Sequence, residues 1–144
     1  KLAEKLNKAV EKQQRKTKLK VYVQVKTSDE ATKSGVEPGE ALELIQYIRE
    51  KCTNLEFSGL MTLGQEGDFD AFTKLADLRE ELCKSLGLEI KDVELSMGMS
   101  GDYEEAVSRG STNVRIGSLL FGAREKKEPE KKPEEKPTEP ESKQ

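Results

Sequence analysis

Val93–Gly122 reads VELSMGMSGDYEEAVSRGSTNVRIGSLLFG, and this stretch decides the fold. VELSMGMS is an apolar run closing in a glycine-bearing turn, which is a strand signal. DYEEAVSRG follows as a short helix, with Asp102 as its cap and Gly110 as its stop. NVRIGSLLFG then holds a further strand and a final apolar turn. Strand, helix and strand in succession form the unit of a parallel sheet covered by helices.

The same alternation extends upstream. Leu2, Leu6, Ala9 and Val10 recur at helical spacing in KLAEKLNKAVEKQQRK. LKVYVQV (Leu19–Val25) is β-branched and mostly apolar, so a buried strand is expected. Lys26–Glu40 is a polar, glycine-containing loop ending in Pro38-Gly39. Ala41, Leu44, Ile45 and Ile48 mark a helix ending near Cys52, and LEFSGLMTL (Leu55–Leu63) is the next strand. Phe69, Phe72, Leu75, Ala76, Leu78 and Leu82 follow a helical period that Gly87 stops. This α/β pattern fits a doubly wound sheet or part of a β/α barrel. Neither GxGxxG nor GxxxxGK[ST] occurs, so the Rossmann and P-loop readings have no support. A full eight-unit barrel takes about 250 residues, and the globular part here, 1–124, is close to half of one. Four units cannot close, and they leave two strand edges unpaired.

Composition removes several classes. Charged residues make up 37% of the 144 and hydrophobic ones 33%. Lys126–Gln144 carries six Lys, six Glu and four Pro with no apolar side chain, so 125–144 is expected to be a disordered, charged tail. No run approaches the roughly 18 to 20 apolar residues of a membrane span, and KLAEKLNKAV is no signal peptide. Without histidine there is no Ser-His or Cys-His nucleophile pair and no His-bearing zinc site. Cys52 and Cys83, 31 apart with no CxxC, read as reduced core thiols of a cytoplasmic protein. A net charge of −3 argues against nucleic acid as a partner. With no Met at its start, the chain is expected to be a piece of a longer protein.

Two segments have the means to carry chemistry. Ser96-Met97-Gly98-Met99-Ser100-Gly101-Asp102 lies where a parallel strand gives way to a helix, the end of the sheet that faces ligands. Hydroxyls, glycines and a helix start are the means of holding a phosphate. The plainer reading is a strand–helix turn with a Ser or Asp cap. In Asn113-Val114-Arg115-Ile116-Gly117-Ser118, Arg115 interrupts what is expected to be a buried apolar strand. A guanidinium there is costly unless it meets an anion or several acceptors. Gly117 permits close approach to the backbone, and Ser118 starts the next turn. The plainer reading is an Arg paired with a structural carboxylate or pointing outward from an edge strand. Both segments follow the last two strands, where β/α barrels often bind phosphate.

The run VELSMGMSGDYEEAVSRGSTNVRIGSLLFGAR, with LKVYVQVKTSDEATKSG (Leu19–Gly35) and CTNLEFSGLMTLG (Cys52–Gly64), resembles the C-terminal part of the pyridoxal phosphate homeostasis proteins, earlier labelled proline synthetase co-transcribed homologues. The likeness covers nearly all of 1–124 and excludes the tail. It implies an alanine racemase-type parallel β/α barrel, here about the last four units of eight, binding one pyridoxal 5′-phosphate. It also implies storage, buffering or delivery of the cofactor in vitamin B6 homeostasis, without established turnover and with cofactor-dependent apoenzymes as possible recipients. By resemblance, Ser96 and Ser100 are phosphate contacts, and Gly117 and Ser118 are backbone donors to the phosphate. Arg115 then stands beside the cofactor, on the pyridine nitrogen or the phosphate.

The chain also departs from the pattern. The family's Schiff-base lysine is expected in the missing N-terminal half, with its HFIG-type signature. Lys20 and Lys26 flank a strand but match no Schiff-base motif, and Lys26 replaces a frequent Asn after QV. The piece alone is therefore expected to hold the cofactor weakly. The alternative is a fold-type III enzyme such as an amino acid racemase, which needs a second base, usually Tyr; the chain offers Tyr22, Tyr47 and Tyr103. A phosphate-binding barrel for another ligand is the third possibility.

Overall fold

A computed structural model describes residues 1–28, 34–65 and 67–123. The expected charged tail, 125–144, lies outside the described residues, as does part of the Lys26–Glu40 loop. The elements run α1 (Leu2–Lys12), β1 (Leu19–Gln24), α2 (Ala41–Lys51), β2 (Leu55–Met61), α3 (Asp70–Leu86), β3 (Glu94–Met99), α4 (Tyr103–Ser108), β4 (Asn113–Arg115) and α5 (Ser118–Phe121).

The four strands are parallel and lie in the order β1-β2-β3-β4. Crossovers between parallel strands are right-handed as a rule, and an order that never reverses puts the connecting helices α2, α3 and α4 on one face of the sheet. A doubly wound sheet reverses at a switch point, so this order is that of a barrel arc. One core occupies the helix-covered face. Val23, Leu60, Leu95 and Met97 from the strands meet Ile45 and Ile48 of α2, Phe72, Leu75 and Leu82 of α3, and Ala106 of α4. Gly87, left-handed at φ 65°, ends α3 where the sequence places its stop.

The opposite face mixes polar and apolar side chains. Gln24 pairs in register with Met61, and Met61 with Ser96. On that side the Tyr22 hydroxyl donates to the Glu94 carboxylate, and this bond, with burial, pushes Tyr22 up to about 12.

Two strands depart from expectation. LKVYVQV is not buried throughout: Lys20 and Tyr22 are exposed while Val23 is buried. β4 is only three residues long, and Asn113 and Val114 are exposed, so Arg115 does not interrupt a buried strand. Both have the same cause. Each is an edge strand with one partner, and the face away from the helices has no cover among the described residues. The final apolar turn is likewise uncovered, with Leu119, Leu120 and Phe121 exposed.

Cys52 and Cys83 are free and buried, and burial pushes both thiols up. Thiolate is the reactive form. Alkylation by iodoacetamide at pH 7.5 is therefore expected to leave both unmodified in the folded protein and to modify both in denaturant; mass spectrometry of tryptic peptides checks this. Among the described residues no helix is long and apolar enough to cross a membrane.

Candidate functional site

The site is built where β3 and β4 end. The register between them slips between Ser96 and Met99, and such an irregularity re-aims the side chains beyond it. Gly98 sits in the slip at φ 96°. A Cβ there would lie 2.5 Å from the Ala106 Cβ and 3.2 Å from the Tyr103 Cα, so the bare backbone lets α4 lie directly on the strand end. Side chains of the α4–β4 connection fasten the two strands. The Ser111 hydroxyl donates to the Met97 carbonyl at 2.7 Å, and the Leu95 N–H donates to Thr112 Oγ1 at 2.9 Å.

Beyond this fastening lies a hollow of about 330 Å³, lined by Met99, Ser100, Gly101, Asp102, Arg115, Gly117 and Ser118. Backbone donors gather at its Ser100 side. The N–H groups of Gly117 and Leu119, at the start of α5, converge on Ser100 Oγ at 3.1 and 3.2 Å. One neutral oxygen thus takes two backbone donors, the pattern in which a phosphate oxygen is held. Gly117 itself needs explaining. Its φ of −119° suits any residue, and an added Cβ would meet no protein atom within 4 Å. Neither backbone strain nor protein packing demands glycine there, and the space over its amide is open. The donor set fits a phosphate.

Arg115 borders the hollow and is fixed from behind. Nη1 donates to Ser96 Oγ at 2.8 Å and Nη2 to the Thr62 carbonyl at 2.9 Å. Ser96 Oγ in turn donates to Asn113 Oδ1 at 3.1 Å. The Thr62 hydroxyl shares a 2.7 Å bond with that of Thr27. Arg115 thus ties Thr62, just past β2, to Ser96 of β3 and through it to Asn113 of β4, while the Thr62 hydroxyl meets Thr27, just past β1. Burial pushes that guanidinium's pKa down and the nearby Asp102 raises it.

Of the residues singled out in the sequence, Ser100, Arg115, Gly117 and Ser118 come together around the hollow. Ser96 does not line it; it is buried and holds Arg115. Lys26 is engaged at 2.9 Å with Glu37 in an exposed ion pair. Sequence reasoning missed Leu119, whose amide, rather than that of Ser118, joins Gly117 on Ser100 Oγ, and it missed several side chains. Thr62 and Asn113 carry no motif that marks them. Asp102 was read as a cap of α4, yet it makes no side-chain bond to that helix; its Oδ1 accepts the Met99 N–H at 2.7 Å and it borders the hollow. Among the described residues no group of His, Cys, Asp and Glu is arranged to hold a metal.

Fold and hollow together define a class: a parallel β/α domain with a donor-lined hollow at the carboxyl ends of its strands. Residues 1–125 match the alanine racemase N-terminal domain, and the chain belongs to that family. It is 50% identical over 131 residues to the pyridoxal phosphate homeostasis protein of Bos taurus, covering 87% of this chain and 48% of the relative. The human protein of the same name is 48% identical over the same shares. The chain thus spans about half the length of the curated relatives it matches. Among solved structures, PipY of Synechococcus elongatus with PLP bound superposes at a TM-score of 0.68 and 26% identity, over 84% of this chain and 56% of PipY. A Bifidobacterium adolescentis protein of unknown function gives 0.71 and 33%, over 83% and 49%.

Proposed function

We propose that this chain supplies the phosphate-holding part of a cytoplasmic pyridoxal 5′-phosphate-binding protein that serves vitamin B6 homeostasis without catalytic turnover. The names of its relatives and the PLP-bound PipY support the ligand. The single observation that carries the reading is the convergence of the Gly117 and Leu119 amides on Ser100, beside Arg115. When bound, the cofactor supplies an aldehyde that condenses with amines and a ring that withdraws electrons.

In this reading the amides of Gly117 and Leu119 take phosphate oxygens, and the Ser100 hydroxyl turns to donate to the same group. Ser118 borders the seat, and Ser96 acts through Arg115. A guanidinium stays protonated. Placed against the ring nitrogen, it leaves that nitrogen without a proton and weakens the ring as an electron sink; placed against the phosphate, it adds charge-assisted bonds. The first arrangement suits a carrier, or a racemase-like site, better than a decarboxylase. A racemase would need a tyrosine base, but the hydroxyls of Tyr22, Tyr47 and Tyr103 donate to Glu94, Glu4 and Glu104. Pyridoxal phosphate-dependent apoenzymes are the proposed recipients.

The test is direct. The complete protein that carries this chain is expected to be yellow, to bleach with borohydride, and to show no racemisation of amino acids. A colourless preparation that takes up no added cofactor contradicts the reading. Gly117→Ala is expected to lower affinity for the cofactor about tenfold, roughly 1.4 kcal/mol. Its unfolding midpoint in urea should not fall, because the added methyl meets no protein atom.

A further inference from the structure

We propose that Asp102 tunes this hollow for release, its carboxylate opposing the phosphate that the surrounding donors attract. The inference rests on the phosphate reading above and adds a residue that the reading does not use. Asp102 is buried and borders the same hollow as Ser100, Arg115, Gly117 and Ser118. It occupies the N-cap position of α4, where an aspartate ordinarily folds forward onto free amides of its own helix. Here it makes no such bond and turns back to the strand end, accepting the Met99 N–H.

Nor is Asp102 neutralised by an ion pair among the described residues. The Arg115 donors go to two neutral oxygens, Ser96 Oγ and the Thr62 carbonyl. Cation and carboxylate thus border one hollow without touching, near enough that Asp102 holds the guanidinium proton more firmly. An entering phosphate gains from Arg115 and the amides but meets a like charge in partly desolvated surroundings, where such repulsion is far stronger than in water. The bond to Met99 does not require that charge, since an amide or hydroxyl oxygen accepts an N–H equally well. A site meant only to retain a phosphate would be better served by a neutral residue. A site meant to hand its ligand on gains from a fixed negative charge that shortens the stay.

The experiment uses the complete protein with Asp102→Asn, which keeps the acceptor for Met99 and removes the charge. Dissociation constants are measured for pyridoxal 5′-phosphate and for pyridoxal, which lacks the phosphate, together with the dissociation rate of the former. Asp102→Asn is expected to bind the phosphate ester about tenfold tighter, mainly through slower dissociation, and pyridoxal unchanged. Unchanged or weaker binding of the ester, or an equal gain for both ligands, overturns the role of Asp102 while leaving the phosphate reading intact. Wild-type protein that binds neither ligand overturns the phosphate reading and this inference with it. Asp102→Ser, which also keeps an acceptor, is the second variant. If neither neutral variant folds, as judged by circular dichroism, the carboxylate is structural and the proposal falls.

Discussion

Arg115→Ala is expected to weaken retention of pyridoxal 5′-phosphate by about a hundredfold in the complete protein, roughly 2.7 kcal/mol. Bonds from a charged donor to an anion or ring nitrogen contribute about twice what neutral ones do. The guanidinium is also held in place before any ligand arrives. Its two nitrogens are spent in different directions, one on Ser96 Oγ and one on the Thr62 carbonyl, so little side-chain entropy remains to be lost on binding. Arg115→Lys should not restore affinity, because a single ammonium cannot reach both acceptors and still face the hollow. Ser96→Ala should show a weaker version of the same defect, since Ser96 positions the guanidinium and is itself fixed by Asn113. Absorbance titration with the cofactor checks all three variants. Equal affinity in wild type and Arg115→Ala would remove Arg115 from the site.

Gly98→Ala is expected to produce the largest loss of stability, about 3 kcal/mol or more, since strained backbone and overpacking each cost about 1 to 3 kcal/mol. The residue sits at φ 96°, a conformation that side chains rarely adopt. Its new Cβ would stand 2.5 Å from the Cβ of Ala106, which is fully buried, and 3.2 Å from the Tyr103 backbone. No rotamer relieves a clash between two Cβ atoms, so α4 must lift from β3. The turn that joins them carries Ser100 and Asp102, and the lift should therefore also weaken cofactor binding. Urea unfolding with a binding titration under native conditions reads both effects. A variant with an unchanged urea midpoint would mean that α4 is not seated on the strand as described.

Much of the architecture was legible because it depends on local chemistry. The β-branched run at Leu19–Val25, the helical spacing from Phe72 to Leu82 and the stop at Gly87 each state their element directly. The burial of the outer strands was not legible. Leu19–Val25 is mostly apolar and Asn113–Ile116 leads into an apolar turn, and nothing in their residues says that one face of each lies uncovered at a sheet edge. The site was half legible. Ser96 and Ser100 are four apart, so an ordinary strand would point both the same way. The register slip between Ser96 and Met99, with Gly98 left-handed inside it, breaks that parity and separates their roles. Thr27 falls in a polar loop and Thr62 near the end of a strand, and neither carries a motif. Only the parallel register brings their hydroxyls together and the Thr62 carbonyl under Arg115. Asp102 looks like a helix cap in any sequence, and its backward turn exists only in three dimensions.

The most direct measurement is a crystal structure of the complete protein with pyridoxal 5′-phosphate. It should place phosphate oxygens on the Gly117 and Leu119 amides, with the Ser100 hydroxyl donating to the same group and Arg115 within hydrogen-bond reach of the cofactor. A phosphate bound elsewhere, with both amides still on Ser100 Oγ, would contradict the account.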